Sequence, residues 1–483
     1  MHLLIPFLLS LLTGILFALL GTSSRKLLCT LSVAIAAVQA VLLSLPLWIG
    51  GEEIILWRFS DSLCLSLSAD GIGSLLGLLT GGGWLLCVIF CTTYMGHEEK
   101  ESRFYAFLFL SQACLIGVFF AGNLLTLYLF FELTTLASLP LVLHSGTGDA
   151  TAGGLSYLFY SLAGAIIALF GLMVLYHTAG TLDFVAGGYL LEDSSNPLLL
   201  AGVFCCVVGF GAKGGLFPLH AWLPAAHPQA PAPASAILSG IITKSGVIAI
   251  LRLLFFVIDP ALIRGTWVQY TLLILALLTI LIGSALALAE NNLKRRLALS
   301  SVSQVSYVLI GLFLLNEQAL LGALLQGIFH MIAKAGLFLC AGALIYLTGK
   351  TGAGDYAGCG KKYPALFVCF TLLSLSLIGI PPAGGFYSKW YLAAGALEGS
   401  GPLAYSIPIV LLISALLTAG YLLPIVGRAF YPGTEISGAL RREHIPRGLL
   451  VPLVVFAASS LLPGIFFPVL KAGVLSLTSG IFG

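Results

Sequence analysis

The sequence predicts an all-α integral membrane protein of about fourteen transmembrane helices, arranged as two inverted five-helix repeats with broken helices. Three observations lead there. Of 483 residues, 59% are hydrophobic and 8% charged, whereas a soluble domain carries about 25% charged residues. Apolar segments close to the roughly 20 residues that a helix needs to cross a bilayer recur fourteen times along the chain. Inside two of those segments prolines and glycines fall beside a lysine, the pattern of helices interrupted at membrane depth.

The segments lie near 3–21, 27–49, 70–94, 103–121, 123–143, 151–178, 197–217, 231–258, 267–289, 296–314, 319–347, 363–397, 405–430 and 449–470. The longer ones must tilt, break or include interfacial turns, and almost nothing remains for a water-soluble domain. The first lacks a basic leader and a clear small-residue cleavage site, so it reads as a span rather than a signal peptide. A formal net charge of +3 says little about partners, but the placement of Lys and Arg sets the orientation. Connections after odd-numbered spans carry Arg25, Lys26, Lys100, Arg103, Lys294, Arg295, Arg296, Lys350, Lys361, Lys362, Arg428, Arg441, Arg442 and Arg447; those after even-numbered spans carry Arg58 and Arg264. The imbalance puts the odd connections in the cytoplasm and both termini on the outer face of a multi-pass protein of the cell (inner) membrane.

Ten cysteines sit almost entirely inside spans, with no recurring CxxC and no His or carboxylate at ligand spacing. Packing explains them better than iron-sulfur, zinc or disulfide chemistry. No phosphate loop, dinucleotide fingerprint or nucleic-acid patch appears. The expectation is therefore no cofactor and no metal in this chain, no catalytic chemistry of its own and no nucleic acid among its partners.

Residues 1–102 read as an N-terminal three-helix segment in which Asp70, at the start of the third span, fits a helix cap at the membrane edge. Residues 103–258 read as the first five-helix repeat. Its second span, NLLTLYLFFELTTLASLPLVLH, puts Glu132 at mid-membrane, where a carboxylate is either neutral or paired with a cation. Lys213 is an available cation; a bond to a neighbouring helix is the other reading. After Lys213, in GAKGGLFPLHAWLPAAHPQAPAP, Pro218, Pro224, Pro228, Pro231 and Pro233 remove backbone donors while Gly211, Gly214 and Gly215 loosen the helix, so the span should break just past Lys213. A lysine near mid-bilayer costs about 2.5 to 3.5 kcal/mol on insertion scales, and charge transport is a reason to keep it. His220 and His227 follow the break and titrate near neutral pH, with interfacial anchoring as the alternative. Lys244 lies thirteen residues beyond Pro231, too deep to reach either surface comfortably. Arg252 is placed to snorkel outward in a structural role.

Residues 259–430 read as the second repeat. Ser301, Gln304 and Tyr307 recur at helical spacing, either to hold a water chain or to join helices. Gln326, His330 and Lys334 follow at intervals of four on one helical face, and a desolvated lysine beside a histidine is a group that exchanges protons. The stretch GIPPAGGFYSKWYL predicts a second break at Pro381, Pro382, Gly384 and Gly385, followed by Lys389. One half has its lysine before a break and the other after one, which suggests an inverted repeat relating spans four to eight to spans nine to thirteen. A shift of five is odd, so the two copies face opposite ways. Residues 431–483 supply the C-terminal helix.

The strings FFELTTLAS, GAKGGLFPLHAWLPAAHPQAPAPASAIL, FHMIAKAGLFLCAGAL and GIPPAGGFYSKWYL resemble the antiporter-like subunits shared by respiratory complex I, Mrp-type cation/proton antiporters and membrane-bound hydrogenases. The resemblance covers nearly the whole chain. It implies fourteen transmembrane helices, two inverted five-helix repeats, two broken helices and a central hydrated axis of charged residues that conducts protons. By that resemblance Glu132 and Lys213 match a carboxylate–lysine pair, Lys244 the bridging lysine, His330 and Lys334 the second-half relay, and Lys389 the terminal lysine. The chain departs from some members in having Lys389 where they have glutamate and Gln326 where they have a second histidine. The long lateral helix that others add beyond the last span is not expected before Gly483.

The function implied is proton translocation within a redox-driven respiratory complex of the NADH-quinone oxidoreductase type or a hydrogenase complex. The partners would be other membrane subunits, including similar antiporter-like ones, together with lipid, protons and possibly sodium. The alternative is a subunit of an Mrp-type sodium/proton antiporter without redox partners. A row of lysines and no roomy polar site fit an unrelated solute transporter poorly. Mechanistically, an ionised Glu132 close to Lys213 favours the charged lysine, and drawing the pair apart pushes that proton towards Lys244 and on through His330 and Lys334 to Lys389.

Overall fold

A computed structural model describes residues 3–20, 24–50, 53–60, 63–190, 196–399, 402–432, 441–478 and 481–482. In a medium without water every backbone donor and acceptor must be satisfied within the chain, so the apolar runs become helices. The N-terminal segment holds α1 (Leu4–Leu20), α2 (Arg25–Ser44) and its short continuation α3 (Pro46–Ile49), then an antiparallel hairpin of β1 (Ile54–Arg58) and β2 (Cys64–Leu67), then α4 (Gly71–Tyr94). There follow α5 (Glu101–Phe119), α6 (Leu124–Val142), α7 (Gly148–Ala179), α8 (Pro197–Gly214), α9 (Trp222–Ala226), α10 (Ala232–Ile237) and α11 (Thr243–Arg252). The second half holds α12 (Trp267–Ala289), α13 (Leu293–Phe313), α14 (Glu317–Thr348), α15 (Cys359–Lys362), α16 (Pro364–Ile378), α17 (Gly384–Leu397), α18 (Pro402–Phe430), α19 (Arg447–Ile465) and α20 (Phe467–Thr478).

Among the described residues twelve helical segments are long and apolar enough to cross a membrane. The first expected span, α1, is shorter at 17 residues, and the twelfth is divided into α16 and α17. Counting fourteen treats each of these as a span. The β1–β2 hairpin was not expected from composition. It is pinned to the start of α6 by the Asn123 side chain, which donates to the Cys64 carbonyl at 2.9 Å, and by the Thr126 hydroxyl, which accepts from the Ser66 amide at 3.0 Å.

The breaks fall where proline and glycine predict them. Helix α8 ends at Gly214, and Gly215 follows in the left-handed region at φ 80°; α16 ends at Ile378, with Gly379 at φ 93°. Between the breaks, the segment 232–257 runs through α10, a π turn at Leu238–Ile242, α11 and a second π turn at Leu253–Val257. It is buried on every side, and α13 and α14 nearly so. Lysines on these helices therefore face protein and not lipid.

Matching features recur 169 residues apart. Side chains of Asn123 and Asn292 cap α6 and α13; those of Thr147 and Asn316 cap α7 and α14, each 32 residues long and each ended by a left-handed glycine, Gly180 or Gly349. Antiparallel bridges tie Asn123 to Asp183 in one half and Asn292 to Gly352 in the other. With α8 and α9 taken as one interrupted span, α6 and α13 are five spans apart, so the second copy runs in the opposite sense.

Arg252 does not snorkel. It is 3% exposed and forks onto Asp70, Nη1 to Oδ2 at 2.5 Å and Nη2 to Oδ1 at 2.6 Å, with the Phe256 and Phe184 rings 4.6 and 5.3 Å from its guanidinium carbon. Asp70 also caps α4, accepting from the Gly73 amide at 2.9 Å, as its position at the head of the span predicts.

Candidate functional site

Lys213 stands in the last turn of α8, fully buried. Its ammonium donates to the Phe131 carbonyl at 2.5 Å and lies 3.8 Å from the centre of the Phe131 ring. The expected ion pair with Glu132 is not closed: among the described residues the pairs within 4.0 Å are Arg25–Glu101, Arg252–Asp70, Arg295–Glu290 and Lys362–Glu443. The reason is helical geometry. Neighbouring residues on α6 point about 100° apart, so with Phe131 turned onto Lys213 the carboxylate is carried round the helix, and its Oε1 is buried without a hydrogen-bond partner.

Lys244 lies on α11 just past the first π turn, a distortion that re-aims side chains and clusters at functional sites. Its ammonium donates to the Ser239 carbonyl at 3.0 Å and meets His330 Nδ1 of α14 at 2.5 Å. His330 is 1% exposed and its Nε2 has no partner. A cavity of about 40 Å³ walled by Val247, Leu251, Val308 and Ile328 adjoins Lys244, room enough for water. One turn along α14, Lys334 donates to the Leu297 carbonyl of α13 at 2.9 Å and not to His330.

The polar residues of α13 and α14 interlock. Gln326 Nε2 donates to Gln304 Oε1 at 2.9 Å, and the Ser388 hydroxyl donates to Gln326 Oε1 at 2.7 Å. The Ser301 hydroxyl shares a 2.6 Å hydrogen bond with Ser239, beneath Lys244. The Tyr307 hydroxyl donates to the Leu411 carbonyl at 2.9 Å, and its ring lies 5.1 Å from the Lys389 ammonium. Lys389 donates to the carbonyls of Leu377 and Ile378 at 2.6 and 2.7 Å. Those are among the orphan acceptors at the end of α16, where a cation also complements the helix dipole.

At the first break His227 is fully buried, its ring centre 4.9 Å from Phe338 and 6.3 Å from Trp222, with both ring nitrogens unpartnered. That burial is incompatible with interfacial anchoring. His220 is half-buried with Nδ1 unpartnered and tilts against Phe217 at 5.6 Å. Two buried polar residues escaped sequence reasoning. Lys294, counted with the cytoplasmic charges, is 7% exposed and donates to the carbonyls of Pro228 and Ala230 at 3.0 and 2.5 Å. The signal was present, because five prolines leave carbonyls without helical donors and a buried donor must come from elsewhere. Ser388 is the other, one residue before Lys389.

The structure thus gathers Lys244, His330, Ser239 and Ser301 into one contact set and Gln304, Gln326 and Ser388 into a second. Glu132 with Lys213, and Lys389 with Tyr307, stand at separate ends. Lys213, Lys244, Lys334 and Lys389 are each held by backbone carbonyls and His330 by Lys244, an arrangement of buried titratable groups suited to passing protons. No group of three or more His, Cys, Asp or Glu side chains fit to hold a metal occurs among the described residues.

Residues 121–418 match the family described as NADH:quinone oxidoreductase/Mrp antiporter, transmembrane. The chain belongs to this family. It is 34% identical over 465 residues to the NADH-quinone oxidoreductase subunit N of Desulforudis audaxviator, covering 92% of this chain and 90% of that one. It is 31% identical over 470 residues to a Na(+)/H(+) antiporter subunit of Bacillus subtilis, covering 95% and 93%. A chain of the Mrp complex from Dietzia sp. DQ12-45-1b shares the fold of this NADH:quinone oxidoreductase/Mrp antiporter family member, with a TM-score of 0.85 over 100% of this chain and 96% of that one at 23% identity. The buried lysines Lys213, Lys244, Lys334 and Lys389 all lie within the matched residues.

Proposed function

We propose that the chain is a proton-translocating, antiporter-like membrane subunit of a redox-driven complex, carrying protons through Glu132, Lys213, Lys244, His330, Lys334 and Lys389. One observation carries the reading: a lysine and a histidine share a 2.5 Å hydrogen bond in a fully buried interior. Lys244 donates to Nδ1 of a neutral imidazole, so the Nε2 proton is free to leave as the lysine proton arrives, and the ring turns one arrival into one departure. Gln304, Gln326, Ser301, Ser388 and Tyr307 flank that step and orient water or side chains beside it. His220, His227 and Lys294 occupy the first break, where a route from the cytoplasm would begin. Glu132 sets the charge on Lys213 by its distance, and the open pair is the arrangement in which the lysine proton is released.

The partners are other membrane subunits, as expected of a chain similar both to a quinone oxidoreductase subunit and to an antiporter subunit, and the site is the cell membrane. The repeats would span 103–258 and 259–430. No cofactor is assigned to this chain, and the electrons would move elsewhere in the complex. The test is Lys213→Ala in the assembled complex, with acidification of inverted membrane vesicles followed by a pH-sensitive dye. Proton pumping should be lost while the complex still assembles; pumping at the unaltered rate would end the proposal. The 31% identity to a Na(+)/H(+) antiporter subunit over 95% of the chain keeps a second reading, sodium/proton exchange without redox partners. Subunits co-purifying from the native membrane separate the two: quinone-reducing, hydrogenase or iron-sulfur subunits support the first, and small membrane subunits alone support the second.

A further inference from the structure

We propose that the cavity where the ends of α12 and α18 meet the start of α13 and the α14–α15 connection binds the phosphate group of an anionic phospholipid. The inference goes beyond ion transport and needs none of the central axis. The cavity encloses about 160 Å³ and is lined by Asn291, Arg296 and Arg428 together with Leu288, Gly420 and Pro424.

Arg296 is set as a fixed fork. Its Nε donates to the Glu290 carbonyl at 2.7 Å and its Nη1 to the Tyr421 carbonyl at 2.9 Å, which locks the guanidinium plane and leaves Nη2 for another acceptor. Arg428, exposed on the last turn of α18, has no ion pair or side-chain hydrogen bond among the described residues. Two guanidinium groups lining one small cavity repel until an anion sits between them, and phosphate oxygens match the guanidinium fork. The nearby carboxylates are engaged: Glu290 pairs with Arg295 at 3.3 Å and accepts from the Asn292 amide at 2.9 Å, and Asp355 accepts from the Gly352 amide at 3.0 Å.

The surface beside the cavity distinguishes a lipid from free phosphate. Gly420, Leu416 and Leu412 follow at intervals of four down one face of α18, and Leu416 and Leu412 are 65% and 63% exposed. Leu288 of α12, 44% exposed, lines the same track. A charged pocket above a bare apolar track has the shape of a headgroup above its acyl chains. The connections after α12, α14 and α18 all follow odd-numbered spans, the face that the arginine and lysine distribution assigns to the cytoplasm, where anionic lipids meet basic membrane-edge clusters.

The experiment is native mass spectrometry of the delipidated, detergent-solubilised complex titrated with phosphatidylglycerol or phosphatidylcholine, for the unaltered protein, Arg428→Gln and Arg428→Lys. Arg428 is exposed and makes no side-chain bond among the described residues, so both variants should fold. Arg428→Gln should weaken the tightest phosphatidylglycerol site about fivefold, the effect of one arginine at a membrane surface, and leave phosphatidylcholine binding unchanged; Arg428→Lys should restore part of the loss. Equal phosphatidylglycerol affinity in Arg428→Gln and the unaltered protein, or a matching loss of phosphatidylcholine, overturns the proposal. So does full displacement of the bound phosphatidylglycerol by inorganic phosphate alone, which would make this a free-phosphate site.

Discussion

Lys244 and His330 depend on each other as single residues. A buried imidazole Nδ1 that loses its donor keeps its desolvation cost, and an ammonium there is tolerated because Ser239 and His330 accept from it. Lys244→Met conserves most of the side-chain volume and removes the proton. It should leave assembly intact and lower proton translocation at least about a hundredfold, the lower end of what one acid–base group contributes; vesicle acidification normalised to assembled complex is the measurement. His144 gives a second prediction, outside the membrane-spanning segments. Burial above all, and then the charge of Arg103, lowers its pKa from 6.5 to about 4. The folded state therefore binds this proton less readily than the unfolded chain. The stabilisation from keeping the ring neutral is complete above about pH 6.5 and is lost as pH falls from there towards 4. His144→Phe, which keeps the ring packed edge-on against Phe104 at 5.2 Å, should flatten the fall in melting temperature between pH 7 and pH 5. An unchanged slope would place the acid sensitivity in another group.

Helices and their ends were legible in unequal measure. The spans could be read because apolar length alone fixes a helix in a bilayer, and both breaks because proline removes donors whatever surrounds it. Glycine then marks where α8 and α16 stop. The two π turns flanking α11 could not be read, since an extra residue in a helical turn is stabilised by the packing of 232–257 on all sides and not by its own sequence. The β1–β2 hairpin escaped because its side-chain bonds run to α6 across about sixty residues. Arg252 escaped for the same reason: Asp70 is 182 residues away, and a position two turns from a surface looks like a snorkelling one until its partner is known. Lys213 of α8 meets Phe131 and not the adjacent Glu132, and which of two neighbouring residues on α6 turns inward depends on packing that apolar length does not specify. The Asp70–Arg252 clamp joins the head of α4 to the end of α11 and supplies an element-scale prediction. One carboxylate serves both ends of it, accepting from the Arg252 fork and from the Gly73 amide. Asp70→Ala leaves a guanidinium buried and unpaired and removes a helix cap, at a cost of about 3 kcal/mol. Combining Asp70→Ala with Arg252→Leu should recover most of that, because the cap is absent from both variants and the unpaired buried charge is gone from the second. Thermal unfolding in detergent compares the two variants, and equal losses would show that the cap and not the charge matters.

At the scale of the whole molecule, repetition at an offset of 169 residues turns one design into two half-routes facing opposite ways. In the first half the break follows Lys213, and its loop holds His227 and accepts from Lys294 of α13; in the second the break precedes Lys389, whose ammonium caps α16. Because α6 and α13 begin five spans apart, the ends that open toward one face in the first copy open toward the other in the second, and the buried α11–α14 contact at Lys244 and His330 joins them. A through-path then needs no large pore, only alternating hydration of the two halves around a fixed centre. This geometry ties the direction of each half-route to the sidedness of the chain, and the sidedness proposed from the lysine and arginine distribution has the odd connections in the cytoplasm. On that proposal Ser145, exposed after α6, belongs to the cytoplasmic face, and Glu398, exposed after α17, to the outer one. A membrane-impermeant maleimide should label Ser145→Cys in inverted vesicles but not in intact cells, and Glu398→Cys in intact cells but not in inverted vesicles. The reverse pattern would exchange the two half-routes, placing Lys389 on the cytoplasmic limb and the His227–Lys294 break on the outer one.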